Sequence, residues 1–303
     1  MYTAATMGSL AQTERSSARA SRVRARLQLD FSRDPEGGHT TLDHSAAEPP
    51  LKVVRAFATQ GDACLVHLHN VSGGLLGGDQ LKQEVRLGAG SRVQLTTTGA
   101  TRIYRHREHF VPTQQHTEMF LGEGALLEYV PDPTIPFAGS RYQQHTSIHL
   151  ARDAGIFWWE ILTPGREARG EIFDYDQLQI STRISASGRL IAAENISLQP
   201  RTKNVSSTAR LGPFQYAVTF YVCCAGLQPA CWHALEESLR RLLTDLAKPR
   251  DTLWGVSPLV VDGLVIRCLA HSGRDILSGL HSIWAHAKRQ IYNLEAIPPR
   301  KVY

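Results

Sequence analysis

The sequence of 303 residues contains no long hydrophobic run. A helix that crosses a bilayer needs roughly 20 predominantly apolar residues, so we predict no membrane partner. The N-terminal segment is rich in Ser, Ala, Thr and Arg and lacks the apolar centre of a secretory signal. We therefore expect residues 1–22 to be a disordered tail, with an organelle transit peptide as the alternative, and we expect a cytoplasmic protein.

Cysteine is also scarce, and its count is odd. A disulfide framework would need paired cysteines at regular spacing, so we expect reduced thiols. The five cysteines are Cys64, Cys223, Cys224, Cys231 and Cys268. Cys223, Cys224, Cys231 and His233 lie near one another in sequence and could suggest a metal cluster. Adjacent residues of a strand point to opposite faces, however, which argues against one.

The positive charge is not spread over the whole chain. The formal net charge is +5, and residues 1–26 supply +4 of it. The remainder is therefore close to neutral. A nucleic-acid surface needs clustered positive charge on the folded body, so we predict no nucleic-acid partner.

Familiar catalytic and nucleotide-binding motifs are missing. The chain has no G-x-S-x-G elbow, no H-E-x-x-H and no C-x-x-C. It does have a glycine-rich loop over Gly73–Asp79, but Asp79 and Gln80 stand where a phosphate loop carries Lys and Ser or Thr. We therefore predict a tightly packed backbone loop rather than a nucleotide site.

Short β-rich segments dominate the middle of the chain. The segments are Cys64–Asn70, Gln83–Leu87, Arg92–Thr97, His116–Leu121, Ala125–Val130, Thr146–Leu150, Gly155–Leu162, Leu178–Ile184 and Leu190–Leu198. Four turn glycines, Gly90, Gly124, Gly155 and Gly188, are spaced 34, 31 and 33 residues apart. A period in this range predicts stacked strand pairs that share one core, as in a β-solenoid or an elongated two-layer β body.

Helical patterns come late in the chain. Apolar residues recur at steps of three and four over Cys231–Leu246 and again over Asp275–Tyr292. Between them, Leu259–Arg267 is typical of two strand edges around an Asp-Gly turn. We predict a mainly β (α+β) fold with two C-terminal helices, in a single domain over residues 23–303.

Four carboxylates occupy unusual positions. Asp79 closes the glycine loop, Glu160 follows an apolar run, Glu171 follows two arginines, and Glu194 lies inside a strand pattern. A charge in an apolar run is unfavourable unless it is paired or hydrated. These residues are either ordinary paired carboxylates or the oxygen ligands of an interior route for a cation.

Several segments resemble the motifs of a known family. They are Gly73–Leu81, Leu95–Arg105, Pro131–Tyr142, Trp158–Arg166 and Ala168–Glu171. Their order and character are similar to those of the urease accessory protein UreD family, called UreH in some organisms. The similarity covers residues 60 to 200, and the two late helices fit it as well.

The resemblance implies a urease maturation factor that is not an enzyme. Such a protein is a scaffold that binds apo-urease and UreF, which recruits the GTPase UreG in a hetero-oligomeric complex. It implies that nickel passes through an internal polar channel, with no permanently bound cofactor. The surrounding motifs place Asp79, Glu160 and Glu194 at positions associated with that channel, and we add Glu171 from its setting.

Two other interpretations stay open at this point. The first is a hydrolase or transferase that uses paired carboxylates such as Glu160 and Glu171. The second is a structural β-solenoid adaptor through which no metal passes.

Overall fold

The structure, a computed structural model, describes residues 23–59, 61–107, 110–248, 250–274 and 276–299. In chain order the strands are β1 (Arg24–Arg33), β2 (Thr40–Ala47), β3 (Leu51–Ala58), β4 (Cys64–Asn70), β5 (Gln80–Leu87), β6 (Arg92–Thr97), β7 (Thr101–Ile103), β8 (Thr113–Leu121), β9 (Leu126–Tyr129), β10 (Thr134–Pro136), β11 (Arg141–Leu150), β12 (Gly155–Leu162), β13 (Gln177–Ala186), β14 (Arg189–Leu198), β15 (Tyr216–Cys224), β16 (Thr252–Pro258) and β17 (Gly263–Ala270). The helices are α1 (Pro229–Leu246), α2 (Ile276–Tyr292) and a short 3-10 helix, Glu167–Arg169. The predicted tail, residues 1–22, and the predicted first helical residue, Asp275, lie outside the described residues.

The strands form two mixed sheets. The first, sheet A, has seven strands in the order β14-β13-β11-β8-β5-β1-β2. The second, sheet B, has ten strands, of which eight follow the order β16-β17-β15-β12-β9-β6-β4-β3 while β7 and β10 pair at the side. In sheet A the neighbouring strands β13, β11, β8, β5 and β1 run parallel to one another. In sheet B the neighbouring strands β12, β9, β6 and β4 do the same. The predicted mainly β fold of stacked strands is confirmed.

The predicted period has a simple structural basis. In three successive units a strand of sheet A turns into a strand of sheet B: β5 into β6, β8 into β9, and β11 into β12. The equivalent residues Leu87, Leu121 and Leu150 stand side by side in register. The fourth unit differs, because β13 and β14 form an antiparallel hairpin inside sheet A.

The prediction of a turn is wrong for one of the four glycines. Gly90, Gly124 and Gly188 have positive φ, but Gly155 is the first residue of β12. In that unit Asp153 takes the left-handed position, with φ 58°. Gly155 is needed for a different reason, since a Cβ there would lie 1.7 Å from Tyr292 Oη.

Sheet B separates two hydrophobic cores. Adjacent strand residues point to opposite faces, so Trp158 packs in the core between the sheets while Trp159 packs against the helices. Cys223 and Cys224 divide in the same way. Each fully buried large apolar side chain contributes about 1.5–3 kcal/mol to stability.

The two helices cover the outer face of sheet B. In α1, Leu235, Leu239 and Leu243 are buried at steps of four residues. The helix begins two residues before the predicted Cys231 because Pro229, with its fixed φ, suits the first turn. None of the helices in the described ranges is long and apolar enough to cross a membrane.

The predicted hairpin between the helices is only half right. β17 begins at Gly263 as expected, and Asp262 turns the chain with φ 56°. The partner strand, β16, ends at Pro258 instead of beginning at Leu259. The turn is therefore longer than a two-residue Asp-Gly connection.

Candidate functional site

The motif segments that are distant in sequence lie together at one end of the sheets. The short strands β7 and β10 pair in parallel, with Thr101 opposite Thr134. Leu75 forms a bridge to Ile103 on one side, and Thr134 pairs with Leu162 on the other. We call this stack, residues 73–79, 98–106, 131–140 and 162–171, the motif edge.

The glycine loop is tightly packed at this edge. A Cβ at Gly74 would lie 2.5 Å from Tyr104 Cε2 and 2.7 Å from the Arg102 carbonyl oxygen. Gly73 and Gly78 have φ values of 75° and 93°, which residues other than glycine rarely adopt. The glycines therefore allow close approach and tight turning of the backbone, as the sequence predicts.

Asp79 closes this loop through its own side chain. Its Oδ2 accepts a hydrogen bond from the Leu76 amide at 2.8 Å, and the residue is 4% exposed. Burial raises the pKa of the Asp79 carboxyl, although backbone hydrogen bonds from Leu76 and Val23 oppose the shift. These contacts are those of a residue that holds the turn together.

A row of polar side chains crosses the inner face of sheet A. Five residues on five adjacent strands stand in register along it: Gln83, Thr117, Thr146, Thr182 and Glu194. The first four are buried. Polar groups at such positions interrupt the apolar packing between the sheets, and they need hydrogen-bond partners or water.

Three cavities lie in succession beside this polar row. The first, of about 220 Å³, is bordered by Gly73, Gly74, Gln83 and Arg102. The second is narrow, about 40 Å³, and shares Thr101, Gln115 and Tyr129 with the first. The third, about 660 Å³, shares Glu160 with the second.

Glu160 stands at the junction of the second and third cavities. Its Oε1 accepts a short hydrogen bond from Gln144 Nε2. The Tyr142 hydroxyl lies 3.1 Å from the Oε1 atoms of both Gln144 and Gln115, which extends the polar cluster. Burial raises the pKa of Glu160 to about 7; the Gln144 hydrogen bond opposes this rise and the charge of Glu194 adds to it. A carboxyl with this pKa is poised to exchange a proton for a cation near neutral pH.

Glu194 borders the third cavity together with Glu160. Its Oε2 accepts a hydrogen bond from the Tyr221 hydroxyl at 2.6 Å, and its Oε1 lies 2.7 Å from Arg267 Nη2. The rest of this cavity is largely apolar, with Leu162, Ile180 and Leu198 among its walls. The structure therefore brings two of the four predicted carboxylates to one cavity.

Glu171 and Asp79 are placed elsewhere. Glu171 accepts hydrogen bonds from Arg166 through both carboxylate oxygens, one of them at 2.8 Å, and from the Ala138 amide at 3.1 Å. Its hydrogen bond from Arg166 lowers the pKa of its carboxyl. Neither Glu171 nor Asp79 borders the three cavities.

No cluster of three or more His, Cys, Asp or Glu side chains that could hold a metal ion occurs within the described ranges. The third cavity instead holds two carboxylates, Glu160 beside Gln144 and Glu194 beside Tyr221 and Arg267. Such a donor set favours weak contact with a cation.

Comparison with known proteins identifies the family of this chain. Residues 23–303 match the family model described as UreD urease accessory protein. The chain belongs to the UreD family.

Curated UreD proteins from distant organisms resemble the chain over most of its length. "Urease accessory protein UreD" of Herpetosiphon aurantiacus is 44% identical over 285 residues, which cover 94% of this chain and 98% of that protein. The protein of the same name from Cenarchaeum symbiosum is 32% identical, over 84% of this chain and 88% of its own length. The one from Lysinibacillus sphaericus is 33% identical over 64% of this chain and 73% of its own.

Sequence analysis missed the neutral residues of this UreD interior. Gln83, Thr117, Thr146 and Thr182 are ordinary strand residues when each is considered alone. They occupy equivalent positions in successive units, each four residues before the last residue of its strand. Aligning the units by their strand ends would have revealed a polar column at an inward position.

Proposed function

We propose that this protein is a cytoplasmic urease maturation factor. In this proposal it is a non-enzymatic scaffold that binds apo-urease and UreF, with UreG joining through UreF, and it helps to deliver nickel to urease. The observation that carries the proposal is the succession of three cavities between the sheets, with Glu160 at the junction of the second and third. Membership of an accessory protein family supports the link to urease maturation.

The donor atoms along the cavities suit a cation that must leave again. Carboxylate, amide and hydroxyl oxygens hold a borderline cation such as Ni²⁺ less tightly than several imidazoles or thiolates would. Such oxygens line the second and third cavities and belong to Gln115, Gln144, Glu160 and Glu194. Conduction requires sites that bind well enough to admit the ion and weakly enough to release it.

A hydrolase or transferase based on Glu160 and Glu171 has less support. Both oxygens of Glu171 are occupied by Arg166, and this carboxylate does not border the cavities that Glu160 borders. A general acid–base pair needs two groups that reach the same substrate. We therefore favour the scaffold and conduit over an enzyme.

The test compares nickel transfer with partner binding in the same variants. Glu160→Ala and Glu194→Ala each remove a carboxylate from the cavity walls, so the nickel content of urease matured in their presence should fall by about tenfold. The variants should still capture UreF and apo-urease in pull-downs, because both carboxylates are partly buried in a cavity wall. Glu118→Ala, which removes a half-buried carboxylate on the other face of sheet A, is the matched control.

Two results would contradict the proposal. Full nickel loading by the Glu160→Ala, Glu194→Ala double variant would exclude these carboxylates as part of the route. Loss of partner binding in parallel with nickel loading would assign them to folding or docking.

A further inference from the structure

Arginine and aromatic side chains form a continuous surface on the motif edge. The Arg166 guanidinium lies 4.2 Å from the centre of the Phe137 ring, and this ring packs edge to face against Tyr104 at 5.0 Å. The Tyr104 hydroxyl and Arg102 Nη1 each lie 3.4 Å from the Gly73 carbonyl oxygen. We call Arg102, Tyr104, Arg105, Phe137 and Arg166 the arginine–aromatic surface.

The arginines of this surface differ in how they are held. Glu171 binds Arg166 and fixes it over Phe137. Arg102 and Arg105 are exposed, and within the described ranges neither forms an ion pair. Two positive charges therefore project from a surface whose aromatic rings are already packed in place.

The position of this surface bears on cation movement. Arg102 borders the first cavity beside Gly73 and Gly74. A positive charge at a cavity mouth repels a divalent cation when the two lie within about 10 Å, the screening length at 0.1 M salt. The first cavity beside Arg102 is therefore unfavourable for Ni²⁺.

We propose that the arginine–aromatic surface docks an acidic segment of a partner protein, which neutralises Arg102 beside the first cavity and the nearby Arg105. The inference rests on the proposed function, since it makes passage of the cation conditional on the complex. Arginine and tyrosine are common anchors of protein interfaces, where they combine a large contact area with directional hydrogen bonds. Carboxylates of the partner would pair with these two guanidinium groups and remove the repulsion beside the first cavity.

A protein fits this surface better than a nucleic acid does. Tyr104 and Phe137 pack edge to face against each other, and Arg166 covers one face of Phe137, so these rings do not form an open platform for stacking bases. A polyanion would also need a longer track of positive charge than Arg102 and Arg105 provide.

The experiment measures binding of the full-length protein to UreF and to apo-urease separately, by biolayer interferometry. The test variant combines Arg102→Glu with Arg105→Glu. The control combines Lys82→Glu with Arg183→Glu, the same change of charge at exposed positions on the outer face of sheet A. Thermal unfolding of both variants checks that the fold is intact, and the neutral variant Arg102→Gln, Arg105→Gln gives a milder change at the same positions.

We expect the charge reversal to weaken binding of one partner by at least about tenfold, the neutral variant to weaken it less, and the control to bind like the wild type. The affinity of the wild type for that partner should fall as salt rises, and the charge-reversed variant should lose most of this dependence. Unchanged affinity of the charge-reversed variant for both partners would overturn the inference while leaving the proposed function standing.

Two further outcomes would also count against it. Binding of a single-stranded RNA probe that the charge reversal abolishes, without an effect on either protein, would assign the surface to a polyanion. Failure of the wild type to bind either protein would overturn the proposed function together with the inference.

Discussion

The two faces of sheet B differ in what they bury. Trp158 and Trp159 are neighbours in β12, yet Trp158 borders the narrow second cavity while Trp159 packs against Phe220 and Trp284 in the layer under the helices. The helix layer is built mostly from apolar side chains that α1 and α2 cover, together with one buried ion pair between Lys288 and Glu128. The layer between the sheets combines apolar side chains with a polar row, two carboxylates and a succession of cavities.

This difference suggests a division of roles within one molecule. Close packing of apolar groups provides stability, whereas cavities lined by polar groups sacrifice some of it. The helix layer therefore supports a sheet whose opposite face is less well packed. The comparison predicts that substitutions on the two sides of β12 affect different properties.

The largest effect is expected from a truncation in the helix layer. Trp284 is completely buried between α2 and sheet B, so Trp284→Ala should lower the free energy of unfolding by about 3–5 kcal/mol. Thr146→Val, in the polar row between the sheets, exchanges a hydroxyl with one long hydrogen bond for a methyl group, and it should change the free energy of unfolding by less than about 1 kcal/mol. Urea unfolding of the two variants makes the comparison. Equal losses of stability would remove the distinction between the layers.

A smaller effect, which depends on pH, is expected at Glu160. Burial raises the pKa of its carboxyl from 4.5 to about 7, so the folded protein holds this proton more tightly than the unfolded chain does. Below pH 4.5 the Glu160 carboxyl is protonated in both the folded and the unfolded state, so its ionisation does not affect stability there. Between pH 4.5 and about 7 the unfolded chain ionises first, so the stability of the folded state declines as pH rises.

Glu160→Gln should remove this penalty. The variant should therefore be more stable than the wild type by about 1–3 kcal/mol above pH 7, and this advantage should shrink toward pH 5. Urea unfolding across this pH range measures it, with Glu118→Gln on the outer face as the control. A difference between variant and wild type that does not change with pH would show that Glu160 does not ionise in this way.

Much of the fold is predictable from the sequence because its pattern is local. β4, β6 and β12 begin and end at the predicted residues, since alternating or continuous apolar residues bounded by turns define them. β1 was missed although Leu27, Leu29 and Phe31 alternate with polar residues, because its arginines resemble those of the preceding tail. β7 and β10 have only three residues each, so they carry little pattern of their own.

The candidate site was less predictable because it depends on register. Glu160 and Glu194 stand out as charges in apolar or strand-like surroundings, and both border the third cavity. No such signal marks Gln115, Gln144 and the threonines of the polar row, since these residues line a cavity only together with neighbours on other strands. Glu171 follows two arginines in sequence, and its contact with Arg166 is the one that such a pattern predicts most simply.

The most direct test of the conduit is to block it at Gln115. This residue borders both the first and the second cavities, while the adjacent Gln114 points to the outer face of sheet A. We predict that Gln115→Trp lowers nickel loading of urease by about tenfold or more, equivalent to at least about 1.4 kcal/mol. Gln114→Trp should load like the wild type, and both variants should still bind UreF and apo-urease. Wild-type nickel loading by a folded Gln115→Trp variant would contradict passage between the sheets.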